Sequence, residues 1–477
     1  MGGRVTLIDL IAASEWFFLL YFVGLTCIYL LLNLIAFGVI YRNMRFRDID
    51  EGVSLYTGFE FPITLLAPAY NEEASIASSV HSLLQLSYPE FEIIVINDGA
   101  NDATLEVLIK EFSLQAIPEA YRIQIPTQPV KAIYRSTRHP NLRVVDKENG
   151  GKADALNAGI NCARYPLFCG MDADSILPRD GLFRIVRPFL EDPVTVAVGG
   201  IVRIVNGCEV RDGHLIKTAL PRNWLALFQI VEYLRAFLFG RMGWQALNGV
   251  LIISGAFGLF RKEAVIAVGG YRHDTVGEDM ELVVRMHRIF SEQRRPYRVH
   301  FIPDPICWTE VPEDLRTLKN QRSRWQRGLA ESLWLNKSLM FAKNSGAAGW
   351  LAFPFMFFFE MLGPLIELVG LVLMIVAYYF GLIDYQAAIA ILILVFGFGV
   401  LLSGSALLLE EMSYRIYSRP SDLLRLCLAL IFENLGYRQL NSYWRVVGML
   451  RWLFNRNASW GIMKRSAKWH STKKQGS

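Results

Sequence analysis

Apolar and polar positions divide the chain into stretches of different period. From Trp16 to Tyr41 the run "WFFLLYFVGLTCIYLLLNLIAFGVIY" carries no charge over 26 residues. A hydrocarbon core of ~30 Å takes ~20 helical residues, so this run predicts one tilted transmembrane helix. It is too long for a cleaved signal peptide, and no basic segment or small-residue cleavage site frames it. A second apolar block, Trp350 to Ile383, exceeds one crossing at about 1.5 Å per residue. Pro364 divides it into an interfacial helix and a single span. The third span is Ala387 to Leu409, closed by "EEMSYRIYSR". Residues 421–436, "SDLLRLCLALIFENLG", are short and carry Arg425 and Glu433, so they read as a re-entrant or in-plane helix.

Between the first two apolar blocks the period shortens. The β-rich runs "ITLLAPA" (63–69), "EIIVIND" (92–98), "KAIYRS" (131–136), "LRVVDKE" (142–148) and "LFCGMDAD" (167–174) alternate with helical stretches near 72–86, 102–112 and 152–163. That alternation predicts an α/β domain with a mostly parallel sheet, inserted between transmembrane helices. The expected units are a membrane helix within 1–47, a cytoplasmic domain over 48–345, membrane or re-entrant helices over 346–436, and a tail over 437–477.

Composition agrees: 53% of residues are hydrophobic, high for a soluble enzyme. The net charge of +5 is modest and calls for no nucleic-acid partner, but its distribution sets an orientation. "RNMRFR" follows the first span, and residues 437–477 hold nine Lys or Arg and no Asp or Glu. The positive-inside rule puts both on the cytoplasmic side of the inner membrane and Met1 outside. A crossing by 421–436 would leave the basic tail outside. The six cysteines are scattered without CxxC or metal-type spacing and read as reduced packing residues.

Candidate chemistry gathers at the strand ends, where ligands bind in such sheets. "APAYNEE" supplies Tyr70, Asn71 and Glu72 after the first strand. "NDGANDAT" supplies Asp98 and Asp102 after the second, and Asp102 reads equally as a helix cap. In "ENGGKADALN", Gly150 and Gly151 let the backbone approach a ligand while Lys152 adds charge. Asp172 and Asp174 in "DAD" stand one residue apart just past an apolar run. Such hard oxygen donors suit Mg²⁺ or Mn²⁺, bound through one or two carboxylates plus substrate phosphates. "TVGEDMELVVRMHR" sets Glu278 and Asp279 at the start of a helix, where capping is the plainer reading. "QRSRWQRG" puts Gln321, Arg324 and Trp325 on a helix, with a basic interfacial helix as its rival.

Read in order, these motifs resemble the membrane-embedded family-2 glycosyltransferases, the group that includes cellulose, chitin, hyaluronan and poly-N-acetylglucosamine synthases. The resemblance covers residues 60–330 and the flanking helices, and rests on the ordered set "VINDGAND", "DAD", "ED" and "QRSRW". It implies a GT-A nucleotide-sugar domain. Tyr70, Glu72 and Asp98 would contact the nucleoside, Lys152 the nucleotide end, and Asp172 the diphosphate, with Asp174 ligating the metal. Asp279 would be the general base with Glu278 beside it. Gln321, Arg324 and Trp325 would hold the donor diphosphate and acceptor sugar, and "SGAFGLFRKE" (254–263) looks like the acceptor-side loop. Two positions depart from the pattern, Ala100 where Ser is common and Gly277 where Thr often precedes the acids, and neither removes a carboxylate.

The expected reaction is an inverting transfer from a UDP-sugar (UDP-GlcNAc or UDP-Glc) that extends a β-linked polysaccharide and threads it across the membrane, alongside lipids and secretion subunits. A single transfer to a lipid carrier is the enzymatic rival, and a non-catalytic secretion or receptor subunit the third reading. Glu360 and Glu367 stand seven residues apart in the second apolar block. An acid at membrane depth costs about 2.5–3.5 kcal/mol, so the pair predicts a polar path for the polymer; the plainer reading has Glu360 at the interface and Glu367 bonded to a neighbouring helix.

Overall fold

The computed structural model describes residues 7–51, 60–173, 175–211, 213–381, 385–417 and 419–454. The first five strands are β1 (Ile63–Ala69), β2 (Phe91–Asp98), β3 (Leu114–Ile117), β4 (Val130–Ser136) and β5 (Leu142–Lys147). They are followed by β6 (Leu167–Met171), β7 (Thr195–Ile204), β8 (Glu209–Arg211), β9 (His214–Lys217), β10 (Phe257–Arg261) and β11 (Arg298–Thr309). Strands β8 and β9 form a separate hairpin. The other nine form one sheet in the order β11-β7-β10-β6-β1-β2-β5-β4-β3.

At the centre, β6, β1, β2 and β5 run parallel, and β11 runs parallel to β7. β10 opposes β6 and β7, and β4 and β3 turn back at the far edge, so the sheet is mixed around a parallel core. β2, β6 and β7 are buried along nearly their whole length. Continuous apolar runs of that kind belong to strands covered on both faces. Helix Lys152–Cys162 lies close over the centre. A Cβ added at Gly159 would stand 2.9 Å from Leu66 Cδ2 and 3.1 Å from Ile96 Cδ1, so those side chains would have to shift to admit it. All six cysteines are free, and Cys162, Cys169 and Cys307 are buried.

Among the described residues, three helical stretches are long and apolar enough to cross a membrane: Trp16–Arg42, Ala348–Tyr379 and Val395–Ser413. The first lies within the single helix Leu7–Glu51 and the third within Tyr385–Ser413. The second is broken where the sequence places Pro364. A π-helical turn, Met356–Met361, ends at a bend, and helix Gly363–Tyr379 begins with Pro364 in its first turn. Proline's missing N–H is harmless there. Residues 421–436 fall in helix Pro420–Phe432 and a π-helical turn, Glu433–Tyr437, kinked at Leu435 and Gly436. Helix Arg438–Leu453 follows and packs along helix Leu315–Leu335.

Buried ion pairs tie the sheet domain to these helices. Arg203 at the end of β7 meets Glu410, and Arg235 meets Glu433. Arg322 meets Glu232 at 2.7 Å. Removing one partner of such a pair costs about 3–5 kcal/mol, because the other charge is left alone in low dielectric. The pairs to Glu410 and Glu433 therefore fix one relative placement of the sheet domain and these apolar helices, while Arg322–Glu232 joins two helices of the domain's own segment.

Candidate active site

Because β1, β2, β5 and β6 are parallel, their carboxyl ends share one edge, and the polar motifs that follow them converge there. Ten of the sequence-predicted residues line a single cavity of about 1420 Å³: Tyr70, Glu72, Asp98, Lys152, Asp172, Glu278, Asp279, Gln321, Arg324 and Trp325. Asp174 lies outside the described residues. Asp102 does not line the cavity. Its carboxylate takes the Thr104 N–H at 3.0 Å and the Glu73 N–H at 3.1 Å, the turn and cap role.

Asp98 shapes the Gly-Gly loop from within. It is 3% exposed and accepts the N–H groups of Gly150 at 3.0 Å and Gly151 at 2.7 Å. Lys147 holds the same carboxylate at 2.6 Å and also reaches Asp154 at 2.6 Å. Gly150 is required: a Cβ there would stand 2.5 Å from Asp154 Cγ. This folding of the loop sends Lys152 to Asp172, 2.6 Å away, and to within 3.7 Å of Glu278. Burial disfavours the Lys152 charge, but Asp172, Glu278 and Asp279 together outweigh it and raise its pKa. The ammonium is therefore fixed as a cation in the middle of the acids. Beside β1, Tyr70 is 46% exposed at the mouth, and Glu72 accepts the Ser75 hydroxyl at 2.5 Å.

Glu278 and Asp279 open helix Glu278–Glu292. Glu278 is buried, and burial raises its pKa, Lys152 opposing and Asp279 adding to the rise. Asp279 receives the Gly255 N–H on Oδ2 at 2.9 Å and the Met280 N–H on Oδ1 at 2.8 Å. The loop "SGAFGLFRKE" thus orients Asp279. Helix Leu315–Leu335, capped by Asp314 accepting the Thr317 N–H at 2.8 Å, brings Gln321, Arg324 and Trp325 to the opposite wall. Its approach depends on Gly277 and Gly328, which meet backbone to backbone. A Cβ on Gly277 would lie 2.8 Å from Gly328 Cα. The glycine before the two acids is thus a packing requirement of this chain. Trp325 is turned by Arg322, whose guanidinium lies 4.4 Å from the ring centroid.

The cavity continues past the acids to the membrane helices, where Tyr21, Tyr29, Glu360, Glu367, Ser442 and Arg445 line it. Glu360 receives the Tyr29 hydroxyl at 2.5 Å and Arg445 at 3.1 Å. Arg445 also donates to Gln326 at 2.7 Å, and Glu367 pairs with Ser442. Glu360 and Glu367 thus share the cavity and also bond neighbouring helices, from opposite sides of the break before Pro364. Gln326, Arg445 and the wall formed by Glu232, Arg235 and Arg241 are cavity residues that the sequence pattern did not single out. For Glu232, Arg235 and Arg241 the signal was charge interrupting an apolar run at 224–241.

No His or Cys lines the cavity among the described residues, and none of those residues form a three-ligand metal cluster. An oxygen-only site with one partly open carboxylate, Asp172, fits a hard divalent ion whose remaining ligands come from substrate phosphates and water.

A parallel-centred sheet with carboxylates and a Gly-Gly-Lys loop at its carboxyl edge defines a GT-A type nucleotide-sugar domain. The fold is shared with a mannosyltransferase from Pyrobaculum calidifontis solved in complex with GDP-Man and Mn²⁺, at a TM-score of 0.55 and 16% identity over 94% of this chain and 100% of that one. The model of glycosyl transferase family group 2 matches residues 168–401, and that of glycosyl transferase family 2 matches residues 64–125. Together they take in more than half of the chain, which belongs to the family-2 glycosyltransferases. The poly-beta-1,6-N-acetyl-D-glucosamine synthase of Staphylococcus aureus (strain COL) is 33% identical over 274 residues, 57% of this chain and 55% of that protein. The synthase of the same name from Staphylococcus epidermidis is 31% identical over 272 residues, with the same shares. The match thus spans about half the length of these curated relatives.

Proposed function

We propose that the protein is an inverting glycosyltransferase of the inner membrane that polymerises a β-linked polysaccharide from UDP-N-acetylglucosamine and passes it outward. The observation that carries this reading is the continuity of the cavity from the strand-end acids to Tyr29, Glu360 and Glu367. Its volume of about 1420 Å³ exceeds the ~300–1,000 Å³ that suits a single small ligand. The sugar follows from the named activity of the relatives. A single transfer to a lipid carrier would not call for a polar passage at membrane depth.

In this reading Tyr70, Glu72 and Asp98 form the nucleoside end. Asp172 and Asp174 would hold Mg²⁺ or Mn²⁺, which when bound supplies positive charge beside the diphosphate. Lys152 and Arg324 add cationic charge at the leaving group, and Gln321 and Trp325 position the acceptor. Asp279 takes the proton from the acceptor hydroxyl as that oxygen bonds to the anomeric carbon. The bond from that carbon to the diphosphate oxygen breaks, and UDP leaves with the electron pair. One displacement turns an α-linked donor into a β-linked product. Glu278, its pKa raised by burial, stands 3.7 Å from Lys152 and next to Asp279 in the first turn of its helix.

The test is a donor panel with purified protein and Mg²⁺ or Mn²⁺, reading UDP release and product mass for each UDP-sugar. A ladder of β-linked N-acetylglucosamine oligomers is expected. A single added sugar on a lipid would establish the rival, and no turnover with any donor would sink both.

A further inference from the structure

The apolar stretch Ala348–Tyr379 breaks in front of Pro364, and the break leaves backbone oxygens over. Proline has no N–H to return to the Glu360 carbonyl. The Leu362 N–H goes back to Phe357 at 3.2 Å, and those of Leu365 and Ile366 go to Leu362 at 3.0 and 3.1 Å. Among the described residues no backbone N–H reaches the carbonyl of Glu360 or Met361. Side chains from two other helices take that place. Gln326 donates its amide to the Met361 carbonyl at 2.8 Å, and Arg445 donates Nη2 to the Glu360 carbonyl at 2.6 Å. Arg445 Nε donates to Gln326 Oε1 at 2.7 Å, and Nη2 also pairs with the Glu360 carboxylate at 3.1 Å.

Gln326 is 2% exposed and directly follows Trp325 on helix Leu315–Leu335. Arg445 stands on helix Arg438–Leu453, which runs alongside the break. Seven residues before Arg445, Arg438 reaches Glu367 at 3.9 Å, and Glu367 lies seven residues after Glu360. The same helix is pressed onto Leu315–Leu335: the Ser323 hydroxyl donates to the Trp444 carbonyl at 3.0 Å, and a Cβ on Gly448 would collide with the Ser323 carbonyl. Three elements thus meet in one hydrogen-bonded joint. It faces the cavity, which Gln326, Glu360 and Arg445 all line. A lone donor would satisfy either carbonyl, but the planar guanidinium, donating through Nε and Nη2, holds two elements at once. We infer that Gln326 and Arg445 are positioning residues for the acceptor: by closing the break they fix the helix carrying Arg324 and Trp325 at one depth relative to Asp279, where the chain's terminal sugar is registered.

The inference rests on the polymerase reading and deepens it. Gln326→Met, Arg445→Met and the double variant are compared with the parent protein in detergent, with UDP-N-acetylglucosamine and an added β-linked N-acetylglucosamine oligosaccharide. In each single variant KM for the oligosaccharide should rise about tenfold while the donor KM stays unchanged. Because both side chains act through one joint, the double variant should match the worse single one, where independent effects would multiply to about a hundredfold. A merely structural loss would reach donor and acceptor alike. Equal rises in the two KM values, a parental acceptor KM in both single variants, or a hundredfold rise in the double variant would each overturn the assignment. If Arg445→Met does not insert, Gln326→Met decides alone by the split between its two KM values. Failure of the polymerase reading looks different, because the parent itself would then elongate nothing.

Discussion

Asp279 has both carboxylate oxygens engaged by backbone N–H groups before any substrate arrives, one from Gly255 and one from Met280. Those contacts fix its orientation but leave lone pairs for a proton. Asp279→Asn keeps the shape and removes the proton acceptor. Transfer should fall by roughly two to four orders of magnitude while nucleotide binding, measured by calorimetry, persists. Near-normal turnover in the folded variant would remove Asp279 from the base role. At this scale the acids were legible in the sequence, because a strand end followed by a carboxylate is a local pattern. Their partners were not. Lys147, which neutralises Asp98 from 49 positions away, reads in the sequence as one polar residue at the end of a strand.

At the scale of elements, β1 was readable to the residue, and β2 and β5 to within one, since buried parallel strands announce themselves as apolar runs bounded by turns; β4, antiparallel and partly exposed, was also placed to within one. Helices were read long. The stretch near 102–112 begins only at Thr104, because Asp102 stands before the helix and spends its carboxylate on the N–H groups of Thr104 and Glu73. The contact that positions the site was invisible in advance: Gly277 and Gly328 belong to different elements, and either glycine alone looks unremarked. Gly328→Ala adds a Cβ 2.9 Å from Gly277 Cα, which drives helix Leu315–Leu335 away from Asp279. A shift of about 1 Å between reacting groups can cost up to ~100-fold, so kcat of the folded variant should fall at least tenfold, alongside the loss of about 1–3 kcal/mol of stability that overpacking brings. Full activity in this variant would mean that the two helices need not hold that spacing.

Across the whole molecule, catalytic edge and membrane helices share one cavity, and the buried pairs Arg203–Glu410 and Arg235–Glu433 hold the two parts in register. In the polymerase proposed above, that continuity would join synthesis to passage without a moving carrier, each added sugar displacing the chain by one unit toward Glu360 and Glu367. Glu360, bonded to Tyr29 and Arg445, and Glu367, bonded to Ser442, stand within an apolar helical stretch, and in the proposed polymerase their hydrogen bonds would be exchanged for those of sugar hydroxyls. Glu360→Leu with Glu367→Leu removes that exchange, and should spare release of UDP while shortening the product or slowing its appearance outside. Because Leu also leaves Arg445 without its carboxylate, Glu360→Gln with Glu367→Gln serves as the second variant. It keeps the hydrogen-bonding atoms and should retain most of the product length. Product mass and export rate, measured at equal membrane insertion, decide the matter. Chains of parental length exported at the parental rate by the Leu variant would rule out a path past these two residues.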